Sequence, residues 1–137
     1  LEDYESDYHY LFARVYQAAT EAGTTSLEQN YELPNMARRM LESFLAFRQP
    51  HVSGELWQKM QAVKFNEARK LRILRFLHTN SHSIDMGEPE HDLSLLAEGK
   101  AVLEDLLELM KSEDPSHFSA MKTLVQKKEM NRAQTND

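Results

Sequence analysis

Over most of its length this sequence repeats one pattern, apolar residues three and four positions apart, with few helix breakers between the repeats. In "DYESDYHYLFARVYQAATEAG" residues Tyr8, Leu11, Phe12, Val15, Tyr16 and Ala19 line one face of an α-helix, and Gly23 is the predicted stop. "LPNMARRMLESFLAF" repeats the pattern through Met36, Met40, Leu41, Phe44 and Leu45, with Pro34 at the expected first helical position. Pro50 and Gly54 break the chain in "RQPHVSG". One long helix is then predicted from about Glu55 to His78 or a little further, with Leu56, Met60, Val63, Leu71 and Leu74 inward. Gly87 and Pro89 punctuate a loop. A further helix is predicted from about His91 to Lys111, on Leu93, Leu96, Leu103, Leu106, Leu107 and Met110. Asp114 and Pro115 are the predicted cap and first residue of a last helix through "FSAMKTLVQ". No β-alternation runs beyond a few residues, and no internal repeat or sustained heptad is present. The expectation is an all-α bundle of about five helices. It forms one domain over 1–125, because two domains cut from 137 residues would each be marginal. The polar tail 126–137 has no apolar stripe and is expected to be frayed or disordered.

Composition removes several function classes. The chain has no cysteine, which excludes a disulfide framework and thiolate metal sites and suits a reducing, cytoplasmic setting. No apolar run approaches the roughly 20 residues of a membrane span, so no membrane association is expected. The sequence opens on Leu1 and enters an amphipathic segment at once, and so reads as a piece of a longer protein. Neither a G-x-x-x-x-G-K-[ST] loop nor a G-x-S-x-G elbow occurs, which leaves P-loop nucleotide binding and that form of acyl transfer without their residues.

Charge is distributed unevenly. Between Arg38 and Arg75 nine Lys and Arg stand against three Glu, a local charge of +6 inside a chain of net −6, which leaves −12 elsewhere. A basic segment of this kind serves either as a solvated helix surface or as a phosphate-binding face. Arg75, His78 and His82 follow at steps of three and four, so a helix that persists through "HTNSH" carries them on one side, with Asn80 and Ser81 beside them. The plain alternative is a hydrogen-bonded structural histidine and a surface arginine. On the "MARRMLESF" helix, Asn35, Arg38 and Glu42 share the polar side. His78 and His82 also have the spacing of two zinc ligands. However, Thr79 stands where a metalloprotease helix has glutamate, and a third ligand has to come from Glu42, His51 or Asp85. His9, His91 and His117 read as surface or capping residues.

Four segments, "YHYLF", "LPNMARRMLESFLAF", "RFLHTNSHS" and "DPSHF", resemble in order and interval the C-terminal domain of a bacterial ATPase family. That family includes the anticodon nucleases of the PrrC and RloC type, in which an ABC-like ATPase head precedes the nuclease domain. The resemblance runs from about Tyr4 to Phe118. These domains are in turn similar to the all-α, often dimeric HEPN superfamily, whose ribonuclease motif is Arg-x(4–6)-His. Arg75 to His82 encloses six residues, at the long end of that motif, and Arg38 with Glu42 matches an Arg-x-x-x-Glu element upstream of a catalytic histidine. Phe76 departs from the polar residue usual after the arginine.

The resemblance implies a HEPN-like fold and metal-independent RNA cleavage by attack of the ribose 2′-hydroxyl, leaving a 2′,3′-cyclic phosphate. The setting it implies is an ATPase-linked toxin of anti-phage defence, acting on tRNA. His82 is the implied acid–base residue, Arg75 and Arg38 the phosphate ligands, and Glu42 the residue that orients Arg38 or His82. Asn35, Arg39, Arg72, His78, Asn80 and Ser81 are the implied supporting or RNA-binding set. No cofactor is expected in this domain; ATP belongs to the linked ATPase head. The expected partners are RNA, a second copy of the chain and that head. In the alternative reading, the same helices form a non-catalytic dimerisation or effector-sensing domain of an ABC-like ATPase.

Overall fold

The computed structural model describes residues 6–20, 27–82 and 89–135, with side chains described at 6–20, 32–78 and 99–131. Among these residues the protein is all-α. Its six helices are α1 (Asp7–Thr20), α2 (Leu27–Arg48), α3 (Leu56–Gln61), α4 (Glu67–His82), α5 (Pro89–Glu113) and α6 (Pro115–Thr135). The apolar stripes read from the sequence meet in one core. Phe12 and Val15 of α1, Met40, Leu41 and Leu45 of α2, Ile73 and Leu77 of α4, and Leu106, Leu109 and Met110 of α5 are all fully enclosed. Helix α2 packs against α1, α4 and α5, while α6 closes the bundle against α1 and α5 through Met121 and Val125.

Three expectations change. Helix α2 begins at Leu27, so Pro34 lies inside it rather than at its start. An interior proline costs a helix about 3 kcal/mol. Here Leu33 and Pro34 are both buried, on the stripe continued by Met36 and Ala37, and that burial offsets the cost.

The long helix expected from Glu55 is two helices, because the chain turns between Gln61 and Glu67. The N–H groups of Ala62 and Val63 bond back three residues, to Lys59 and Met60, which tightens the end of α3. Asn66 then starts α4 as its cap, accepting the Arg69 N–H on Oδ1 at 2.9 Å. The ammonium of buried Lys70 donates to the carbonyl of Met60 (3.2 Å), which also takes the Val63 N–H, and to that of Val63 (2.7 Å), at the end of α3. The break resets the helical phase. Leu71, expected inside, is half exposed, whereas Lys70, Ile73, Phe76 and Leu77 take the inner face.

The polar segment expected to be frayed after residue 125 lies within α6 as far as Thr135. At the other end of α6 the capping expectation holds, with Asp114 Oδ1 accepting the His117 N–H at 3.2 Å and Pro115 opening the helix.

Candidate functional site

Backbone helix persists in α4 through His82, the condition for Arg75, His78 and His82 to share a face. Arg75 and His78 are exposed, and Arg75 makes no hydrogen bond or ion pair among the described residues. Asn80, Ser81 and His82 occupy the last turn of α4, and their side chains lie outside the described residues. Phe76, which departs from the Arg-x(4–6)-His pattern, is buried in the core beside Gly99 of α5, where an added Cβ would stand 3.4 Å from its ring. Position 76 therefore serves the α4–α5 packing, while Arg75 faces the other way.

On α2, the expected trio is assembled. Arg38 Nη2 donates to Asn35 Oδ1 at 3.1 Å, and Arg38 Nε lies 3.9 Å from Glu42 Oε1. Arg38 Nε is buried without a hydrogen-bond partner, and Glu42 is about half exposed. Such an i, i+4 pair contributes only about 0.3–0.5 kcal/mol, so it orders the two side chains more than it stabilises the fold. Arg39 is exposed beside it. No hydrogen bond or ion pair among the described residues joins Arg38 or Glu42 to Arg75, although α2 and α4 pack directly on one another.

The remaining basic residues show where most of the positive charge goes. Arg69 and Arg72 both bind the buried carboxylate of Asp105 on α5. Arg69 donates through Nε to Oδ1 at 2.9 Å and holds Nη2 at 2.9 Å from the same oxygen, and Arg72 Nη2 donates to Oδ2. Arg69 also lies over the Phe65 ring, 4.6 Å from its centroid. Arg48 reaches the junction of α5 and α6, where it donates to the Glu113 carbonyl at 3.1 Å and lies 3.7 Å from Asp114. Lys59 donates to the carbonyls of Gln49 and Val52, and Lys70 closes α3. Six of the nine basic side chains of the +6 segment are thus engaged within the chain. Only Arg39, Lys64 and Arg75 carry no hydrogen bond or ion pair among the described residues. Arg72, expected to support RNA binding, is committed to Asp105, a residue the sequence alone did not single out. Its signal was an aspartate at a position where the α5 apolar stripe turns inward.

His117 is a correction: it is neither on the surface nor a mere cap. It is partly buried between two aromatic rings, with its centroid 5.6 Å from that of Tyr8 and 5.8 Å from that of Phe44, and its Nε2 lies 2.8 Å from the Tyr8 hydroxyl. Burial, and after it the Asp114 carboxylate, raise the Tyr8 phenol above its ordinary value, so it stays protonated beside the imidazole. His9 is partly buried with its Nδ1 unpartnered, and His91 has its side chain outside the described residues. Among the described residues no three His, Asp or Glu side chains gather as a metal site; His82 is not in that set. A cleft of about 400 Å³ opens between α1, α4, α5 and α6, lined by Tyr16, Arg69, Glu104, Lys111 and Lys122 among others, and contains none of the expected site residues.

No helix among the described residues is long and apolar enough to cross a membrane. Nor do the residues fit a P-loop. At the one Gly-Lys step, Gly99–Lys100, Ser94 stands where the motif has its first glycine and Ala101 where it has Ser or Thr, and the step lies within helix α5. No curated protein and no solved structure matches the chain. A family model does, AAA_13, described as an AAA domain, over residues 1–108, from the start of the chain into the last turns of α5. With most of its length matched, the chain belongs to this AAA-domain family, and it is a helical, P-loop-free part of it.

Proposed function

We propose that this chain is a metal-independent endoribonuclease domain of HEPN-like type, carried by an ATPase whose nucleotide-binding loop is not in this sequence. The observation that carries the reading is the unbroken α4 helix through His82, which holds Arg75, His78 and His82 in one helical register, with Arg75 exposed and without a hydrogen bond or ion pair among the described residues. The ordered Asn35–Arg38–Glu42 chain on α2, the helix packed against α4, supports it. So do the resemblance in order of the four sequence segments and, for the ATPase context alone, membership of the AAA-domain family.

In this mechanism His82 takes the proton of the ribose 2′-hydroxyl or delivers one to the leaving 5′-oxygen, as an imidazole can. Arg75 and Arg38 bind the scissile phosphate and stabilise the charge that builds on it. Glu42 positions Arg38. Asn35, Arg39, His78, Asn80 and Ser81 contact the flanking backbone, and Arg72 contributes only the donors that Asp105 leaves open. The substrate class is tRNA, the acting form a two-fold dimer that sets two such faces together, and the biological setting a toxin in anti-phage defence inside the cell.

The second reading, a non-catalytic dimerisation or effector-sensing domain, is favoured by one observation, the internal use of six of the nine basic side chains. Incubation of tRNA with the wild-type chain and with His82→Ala, in chelator, separates the two. The nuclease reading expects cleavage that His82→Ala abolishes while its helical circular dichroism is unchanged. Equal cleavage by both chains contradicts the role of His82, and absence of cleavage by either, in the presence of the parent ATPase as well, leaves the scaffold.

A further inference from the structure

Two large aromatic side chains stand in solvent at one corner of the bundle. Phe47, in the last turn of α2, is 84% exposed, and Trp57, on α3, is 50% exposed. The core does not need either, since Phe44 and Leu45 fill the inner face of α2 and Met60 that of α3. The corner is built firmly. Lys59 clamps α3 to the carbonyls of Gln49 and Val52 in the turn that follows α2, and the Glu55 N–H donates to Gln58 Oε1 at 2.6 Å. Of the three basic residues between Arg38 and Arg75 that carry no hydrogen bond or ion pair among the described residues, two belong to α2 and the turn after α3. Arg39 lies on the α2 face of Phe47, two turns earlier through Ser43 and so about 12 Å away along the axis. Lys64 is exposed in the turn between α3 and α4.

We infer that this α2–α3 corner is a stacking platform for single-stranded RNA, on which Phe47 and Trp57 receive unpaired bases while Arg39 and Lys64 hold the adjoining phosphates. The choice of ligand rests on the nuclease reading. A dry protein interface would surround its anchors with further apolar surface, whereas Ser43, Arg48, His51, Gln58 and Gln61 flank these two rings with exposed polar groups. Exposed aromatic rings beside uncommitted cations are the pairing that holds a single strand without reading its sequence, because every base offers a π-face and every linkage a charge. None of these four residues except Arg39 belongs to the set that the resemblance implies.

Trp57 is the only tryptophan of the chain, so its fluorescence reports stacking directly. The probe is a short oligoadenylate with 2′-O-methyl riboses, which cannot be cleaved by 2′-hydroxyl attack. Titrated into the full chain, it is expected to quench Trp57. Phe47→Ala, at a site too exposed to affect folding, is expected to weaken binding about tenfold or more, since one stacked base is worth roughly 5- to 150-fold. The double variant Arg39→Gln/Lys64→Gln is expected to lower the salt slope of binding by about 1.4, two phosphate contacts on a single strand. Absence of quenching at oligonucleotide concentrations that saturate binding overturns the platform, as does unchanged affinity of Phe47→Ala. A change in sedimentation of Phe47→Ala with no change in RNA affinity overturns it in favour of a protein interface. Quenching without cleavage of unmodified RNA isolates failure to the nuclease reading; cleavage without quenching isolates it to the platform.

Discussion

Asp105 and Tyr8 are polar residues packed into the bundle, and each yields a test. The Asp105 carboxylate is nearly enclosed and accepts from two guanidiniums of α4. Asp105→Ala leaves Arg69 and Arg72 without a counter-charge and is expected to destabilise the fold by about 2 kcal/mol in urea unfolding. That lies below the cost of breaking a fully buried pair, because both arginines reach solvent. Tyr8→Phe removes the hydroxyl that is hydrogen-bonded to His117 and is expected to cost about 1 kcal/mol at neutral pH. The same variant has a second signature at high pH. The folded-state phenol is held above its ordinary value of about 10 by burial and by Asp114. Its contribution is therefore complete below pH 10 and is lost as pH rises beyond it, because the unfolded chain releases a proton that the folded chain retains. Urea midpoints between pH 8 and pH 11 are expected to fall less in Tyr8→Phe than in wild type; parallel curves contradict the assignment.

At the scale of elements, two glycines mark where helices are forced into place. Gly54 has φ +113°, and a Cβ there would stand 1.8 Å from Gln58 Oε1, so Gly54→Ala is expected to cost about 1–2 kcal/mol and to loosen α3. Gly99 has room for a methyl group against Phe76, and Gly99→Ala is expected to stabilise α5 by about 0.5–1 kcal/mol in thermal unfolding, whereas Gly99→Leu, which crowds that ring, is expected to destabilise. Most of the helices were legible in the sequence because apolar spacing and capping act locally. Tyr8, Leu11, Phe12 and Val15 in α1, and Asp114 with Pro115 at α6, needed no knowledge of the rest of the fold. The division of α3 from α4 was not legible by periodicity. It depends on Lys70 reaching back to two carbonyls, although Asn66, a good capping residue ahead of Glu67, was a local sign of it. Leu71, expected inside, is half exposed and Ile73 is enclosed, because the turn between the helices changes the rotation of α4.

For the molecule as a whole, the contrast between a basic middle and acidic flanks has a structural use that sequence could not apportion. Glu113, Asp114 and above all Asp105 lie near the arginines only because α5 returns along α2 and α4. The candidate site was legible in part. The helical register of Arg75, His78 and His82 and the Asn35–Arg38–Glu42 chain followed from spacing, while the commitment of Arg72 to Asp105 and the enclosure of His117 between Tyr8 and Phe44 required the tertiary fold. Arg39 on α2 and Arg75 on α4 are exposed cations with no hydrogen bond or ion pair among the described residues. In the nuclease reading they hold a phosphate for a histidine-driven cleavage, which the chemistry of the 3′ ends produced from tRNA in chelator by wild type and by His82→Ala tests. Wild type is expected to leave 2′,3′-cyclic phosphate ends and the variant none; ends of another chemistry, or the same ends from both chains, contradict the role of His82.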